Sequence, residues 1–236
     1  MKALRTLFIA ALFFTLGCGK TETAQPEQEP APEEETERPP LPPAVAIANG
    51  LGPSTAMPEG ETFILPEGLE WADAQISAVD PFDKDACPCN ILSRPNCGTY
   101  ADGLVNLCIQ LKNTTSRPIR VTFPAGLIFI AFDTKVQNGM VIQLETFEVP
   151  AHEVGSFKLE LHCANSSRHR SYKEDMFTPG PITTVPQVRE LLDFIKNKDL
   201  TKDAGSAVAQ TALWDITDSR GWNEKERVEL AALPDK

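Results

Sequence analysis

Histidine and tyrosine are scarce in this chain: three histidines and two tyrosines stand among 236 residues. So few imidazoles leave little material for general acid–base chemistry or for a histidine-built metal centre. The sequence carries no glycine-rich phosphate loop and no serine-centred G-x-S-x-G turn, which removes the common signatures of nucleotide and hydrolase sites. No apolar run reaches the roughly 20 residues that a helix needs to cross a bilayer. Basic charge is short as well: 22 Lys and Arg face 33 Asp and Glu, for a net charge of −11. An acidic body repels phosphate backbones, so nucleic acid is set aside as a partner. There is no internal repeat.

What the sequence does have is concentrated first at its start, MKALRTLFIAALFFTLGC. Lys2 and Arg5 form a basic head, Leu7 to Leu16 an apolar stretch too short to span a membrane, and Gly17 precedes Cys18. This run resembles a bacterial lipoprotein signal ending in a lipobox, with Thr15 where that family usually has Leu. The resemblance implies cleavage before Cys18 and lipidation of its thiol, palmitate included. The mature chain is then anchored to a membrane in an oxidising envelope compartment. Gly19 stands where Asp often acts as an inner-membrane retention signal, which points to the outer membrane. The rival is an ordinary secretory signal with an incidental cysteine.

Residues 19–45 hold seven Glu against Lys20 and Arg38, many prolines and almost no aromatics. Such a tract cannot bury apolar surface and is expected to be an extended, disordered spacer. Structure is expected from Gly60, with a short strand at GETFILP and a brief helix over LEWADAQISAV. A loop rich in cysteine follows. Then Val105, Leu107, Ile109 and Leu111 alternate with polar neighbours, as do Ile119, Val121 and Phe123, and later Phe157, Leu159 and Leu161. LIFIAFD reads as a buried strand, VQNG as a hairpin turn and MVIQLETFEV as a further strand. After residue 180 the period becomes helical. Thr184 with Gln187 has the form of a capping box with Pro186 in the first turn, and Val188, Leu191, Leu192 and Ile195 share one face. A second helix is expected over about Lys202 to Ile216. A third should start after Asn223, with Glu226 closing its cap.

Six cysteines occur, and Cys87, Cys89, Cys97 and Cys108 fall close together. In an exported protein they are expected to form two disulfides, with Cys87 and Cys89 each bonded to Cys97 or Cys108 because neighbours two apart cannot pair comfortably. Four thiolates could alternatively hold zinc, although the paired C-x-x-C spacing of a zinc ribbon is missing. Cys163 shares strand parity with Phe157, Leu159 and Leu161, so it should point into the core as a small apolar side chain. Gln210 lies in QTALW, which resembles the Q-x-A-x-W motif of thioester domains in bacterial surface adhesins. LHC at Cys163 resembles their hydrophobic-aromatic-Cys motif, with His162 in the aromatic place. The resemblance covers two short motifs and implies a Cys163–Gln210 thioester able to acylate an amine. The alternative is helix packing, with Ala212 and Trp214 against the sheet.

His162 and His169 flank Cys163. Cys163 with His169 could in principle bind a metal or form a nucleophile and base, but no third group is marked to orient them, and a solvated loop is the expectation. Asn113 and Asn165 match the N-x-[ST] pattern, to which a bacterial lipoprotein gives little meaning.

The sequence therefore predicts an α+β chain: an Ig-like antiparallel β-sandwich followed by a C-terminal helical segment. Residues 1–17 are the signal peptide, 18–50 an acidic Pro-rich tether, 51–180 the disulfide-stapled sandwich and 181–236 helices packed on it. The expected function is a lipid-anchored envelope protein, not an enzyme, with a non-catalytic binding or structural module and neither cofactor nor metal. Its partners would be the membrane, through the lipid on Cys18, and an envelope or surface protein or glycan. The alternative is a covalent adhesin-like module using Cys163 and Gln210, and an envelope enzyme ranks third.

Overall fold

The structure is a computed structural model that describes residues 47–80, 87, 103–202 and 204–236. Among the described residues ten strands precede three helices: β1 (Gly60–Glu61), β2 (Leu69–Trp71), β3 (Ile76–Ala78), β4 (Val105–Asn113), β5 (Ile119–Phe123), β6 (Leu127–Ala131), β7 (Gly139–Met140), β8 (Glu145–Val149), β9 (Val154–Cys163) and β10 (Met176–Thr183). The helices are α1 (Pro186–Ile195), α2 (Gly205–Thr217) and α3 (Glu224–Ala232).

The expected Ig-like sandwich is not what forms. The strands run in the order β10-β3-β4-β9-β7-β6, every pair antiparallel, and β6 pairs back onto β10. That closes a six-stranded barrel, with β1 and β2 as extra strands at its margin. Alternation of apolar and polar residues is common to sandwiches and barrels, because each has one inward face. Only the long-range pairing of Phe177 with Ala131, Thr178 with Ile130 and Pro179 with Phe129 distinguishes them, and it has no local signature. β10 contains Pro179 and Pro181, which read against a strand. Its register shifts between Pro179 and Ile182, where a bulge absorbs the interruption.

The brief helix expected over LEWADAQISAV is also replaced by strands. β2 and β3 lie on the same side of β4 as one interrupted strand: Trp71 faces Leu111 and Ser77 faces Cys108. The chain takes six steps from Trp71 to Ser77 while its partner takes three, so the surplus loops out. Leu69, Ile76 and Ala78 are buried in the core that β4 presents, and this burial overrides helical spacing over so short a segment.

Two cores result. Inside the barrel lie Val105, Leu107, Ile109 and Leu111 of β4 with Phe157, Leu159, Leu161 and Cys163 of β9. β5 and β8 form a separate two-stranded ribbon whose Val121, Phe123, Phe147 and Val149 join the same core. The second core lies between the barrel wall and the helices, where Ile128, Ile130, Met140 and Ala164 meet Val188, Leu191, Leu192, Ala209, Leu213 and Leu230. β6 is thereby covered on both faces, which explains why LIFIA is apolar throughout instead of alternating. Gly139 of β7 fits because a Cβ there would lie 2.7 Å from Leu161 Cδ1 and 2.9 Å from Val105 Cγ1.

The helix caps divide. The Thr184–Gln187 box does not form: Val185 is the N-cap, with no side-chain cap bond, and Pro186 opens the helix. Thr183 Oγ1 instead accepts from the Val185 N–H at 3.2 Å. The Asn223 box does form, with Asn223 Oδ1 accepting from the Glu226 N–H at 3.0 Å and Glu226 Oε2 accepting from the Asn223 N–H. Burial, followed by the neighbouring Asp215 carboxylate, pushes the Glu226 carboxyl above the ordinary carboxylate range. Asp215 itself accepts from Arg220 Nε at 2.7 Å and Asn223 Nδ2 at 3.2 Å. A carboxyl whose folded pKa lies above its unfolded one contributes stability at acid pH and loses it as pH rises through the folded value. Glu226→Gln should therefore gain melting temperature over the wild type between about pH 4 and about pH 8, the gap widening with pH. Thermal melts across that range check this, and a gap independent of pH would sink the assignment.

Candidate functional site

β9 carries the residues singled out by the sequence, and its pleat sorts them. Odd-numbered Phe157, Leu159, Leu161 and Cys163 enter the barrel, and even-numbered positions face outward. Cys163 is fully buried and unpaired with any other cysteine, as its parity predicts. His162 faces outward yet is only 1% exposed, because α2 covers it. Its Nε2 lies 3.1 Å from Ser206 O and 3.2 Å from Ser206 Oγ, at the first turn of that helix. His162 thus belongs to a helix–barrel junction, which corrects the expectation of a solvated loop. His169 is exposed, and its backbone pairs in parallel with Val136.

The structure brings Cys163 and Gln210 together, through the backbone of Cys163. Gln210 Oε1 accepts from the Cys163 N–H at 2.8 Å, and Gln210 Nε2 donates to Cys163 O at 2.8 Å. The side-chain amide completes the ladder at the end of β9 as another strand would. Alanines 209 and 212 bring the helix close, and Trp214 packs against the barrel core one turn after Gln210. Burial pushes the Cys163 thiol well up, so it stays protonated at neutral pH and is a weak nucleophile.

Cys87 and Cys108 form a disulfide, S–S 2.07 Å, which fastens Cys87 to the outer face of β4. This bond takes two of the four thiolates that a zinc site would need. Cys18, Cys89 and Cys97 lie outside the described residues. Among the described residues no group of three His, Cys, Asp or Glu side chains is placed to hold a metal ion. No described helix is long and apolar enough to cross a membrane.

Sequence reasoning missed a buried amide clasp at one end of the barrel. Asn165 Nδ2 donates to Gly50 O at 3.1 Å and Gly52 O at 2.8 Å, and Asn138 Nδ2 donates to Gly50 O at 2.9 Å. Asn165 Oδ1 accepts from the Asn138 N–H at 2.9 Å. Arg168 adds a hydrogen bond to Ser54 O. Gly52 has φ +53°, and a Cβ there would lie 2.1 Å from Thr217 O at the end of α2. The clasp fastens residues 50–54 beneath the helices. Asn165 is fully buried with its amide committed, as is Asn113, whose Nδ2 donates to Arg117 O and Val149 O. Neither amide can accept a glycan in this fold. The one signal available in sequence was N-x-[ST], which here marks turn-forming asparagines.

No family model, no curated protein and no solved structure matches the chain.

Proposed function

We propose that the protein is a lipid-anchored component of the cell envelope whose barrel serves as a non-catalytic binding or structural module. The observation that carries this reading is the run ending at Gly17-Cys18: basic head, short apolar stretch, small residue, cysteine. The Glu- and Pro-rich residues that follow suit a spacer between the lipid and the body. The disulfide of Cys87 with Cys108 accords with an oxidising compartment. The barrel interior is occupied by its own side chains, Phe123, Phe129, Leu107 and Leu159 among them, which leaves binding to the outer surface. Gly19 favours the outer membrane, and the acidic body favours a protein or glycan partner over nucleic acid.

Cys18→Ala tests the anchor. The wild-type chain is expected to be cleaved before Cys18, to incorporate labelled palmitate and to partition into detergent. The variant is expected to stay uncleaved or to appear in the aqueous phase. Equal partitioning and equal mature mass of the two proteins would overturn the assignment.

The second reading, a covalent adhesin-like module, is favoured by the contact of Gln210 with Cys163. Its bond would join Cys163 Sγ to Gln210 Cδ, with the thiol proton leaving on the amide nitrogen as ammonia. The chain would become lighter by one ammonia, and the two hydrogen bonds from Gln210 to the Cys163 backbone would be given up.

A further inference from the structure

A cleft of about 540 Å³ lies where α1 crosses the barrel wall, between the turn from β5 to β6 and the end of β10. Thr183 and Leu192, each 1% exposed, form its floor, and the half-buried Pro124 and Ile182 its sides. Leu144, an exposed apolar side chain, stands at its rim. The volume lies in the range that takes a small organic molecule.

One charge is set into this cleft. Arg189 of α1 is half-buried, and its Nη1 donates to Ala125 O at 2.7 Å. Gly126 makes room for it: its φ is +95°, and a Cβ there would lie 3.0 Å from Arg189 Nη1. The turn beneath the guanidinium thus holds it in one place. Among the described residues the Arg189 side chain makes no other hydrogen bond and no ion pair. The carboxylate next to it in sequence, Glu190, is committed to Arg227 of α3 at 2.9 Å. Glu61 and Asp193 line the same cleft and form no ion pair with it. Both are exposed, so water solvates them. Arg189 has given up part of its water for a single carbonyl. A guanidinium with one N–H used still offers a fork of donors, and a carboxylate matches that fork with two parallel bonds. Lys196, exposed and without an ion pair two turns further along α1, brings a second cation to the same cleft.

We propose that this cleft binds the carboxylate of a small organic acid, held by the free side of the Arg189 guanidinium, with its hydrocarbon chain against Leu192, Ile182 and Leu144. The proposal rests on the reading of the barrel as a binding module and is independent of the lipid anchor. Lys196 contributes charge at the mouth, and the apolar floor removes the chain of the ligand from water.

Calorimetric titration of the full chain in detergent at low salt tests this, with pentanoate and pentanamide as probes. The two share their hydrocarbon chain and their shape, and only pentanoate is charged. Pentanoate is expected to bind saturably at one site per chain, and the amide at least about tenfold more weakly. Arg189→Gln is expected to weaken pentanoate about tenfold and Lys196→Gln about threefold. Arg120→Gln, an equal change of net charge on the exposed side of the ribbon, should stay within about 1.5-fold. Absence of saturable binding, equal binding of the amide, or equal losses in the cleft and ribbon variants would each overturn the proposal. The Lys196 side chain is exposed and has no partner among the described residues, so its variant decides even where Arg189→Gln does not fold. Failure here leaves the partitioning result for Cys18→Ala untouched, so the two readings fall separately.

Discussion

Phe123→Ala is expected to lower the unfolding free energy by about 3 to 5 kcal/mol, the range for removing a fully buried aromatic ring. Phe123 sits on β5, in the ribbon outside the barrel ring, yet its side chain is entirely buried in the interior. Its ring centroid lies 5.5 Å from Phe63, 5.7 Å from Phe147, 6.1 Å from Trp71 and 6.3 Å from Phe129. Phe147 continues the cluster to Phe157 at 4.4 Å. One ring thus joins the ribbon, the segment before β2, and the barrel wall. Truncation removes tilted, stacked and edge-to-face contacts with four aromatic neighbours and leaves a cavity that several elements line, so relaxation into it is limited. Urea unfolding measures the effect as a shift of midpoint at constant slope. Phe123→Leu, which keeps much of the volume, should lose distinctly less. A loss below about 1 kcal/mol for the alanine variant would show that the ribbon is not anchored through this ring.

Gln210→Glu should be nearly as damaging, by about 2 to 4 kcal/mol at neutral pH. The amide of Gln210 is matched to Cys163: an acceptor for its N–H and a donor for its C=O, each at 2.8 Å. An ionised carboxylate keeps the first bond and turns lone pairs toward the carbonyl in the second. It also places a charge in a site where Gln210 is only 6% exposed. Protonation restores a donor, so the deficit should shrink as pH falls toward the carboxylate range. Melting curves at about pH 4.5 and about pH 8 check the sign, since a deficit that grows on acidification contradicts this pairing. Intact mass of the wild-type chain belongs to the same experiment. A mass lower by one ammonia, restored by Cys163→Ala, would establish the thioester. Full mass with one thiol titratable only after unfolding would leave Gln210 as the hydrogen-bonding anchor of α2.

Legibility in the sequence followed the range of the interaction concerned. The alternation along Val105–Leu111 and Phe157–Leu161 located β4 and β9 and gave Cys163 its inward direction. Asn223 and Glu226 specified the α3 cap, because a capping box is closed within four residues. The Thr184–Gln187 pattern was equally suggestive and did not form, since the chain turns at Val185 with Thr183 supplying the bond. Barrel closure had no local trace: it depends on β10, whose prolines argue against a strand. His162 was placed outward correctly, but what covers an outward residue is set by α2, more than 40 residues away. The asparagine clasp escaped for the same reason, as Gly50 is separated from Asn165 by 115 positions. The resemblance of QTALW and LHC to thioester-domain motifs implied that Gln210 meets Cys163, and the contact is there. That it runs through the backbone was not readable from residue types.

The closing strand is also the last strand to be made. Gly60 waits for Thr183, Ile76 for Phe177 and Leu127 for Ile182. A chain delivered N-terminus first therefore accumulates β1 to β9 with no ring to hold them, and loop closure over more than a hundred residues comes at the end. Until then β3 and β6 present open edges, the kind of surface that recruits other strands. Order of emergence thus leaves the ring open until β10 has been made. It also fixes what truncation does: a chain stopped before Met176 is not a smaller barrel but an open sheet with two unpaired sides.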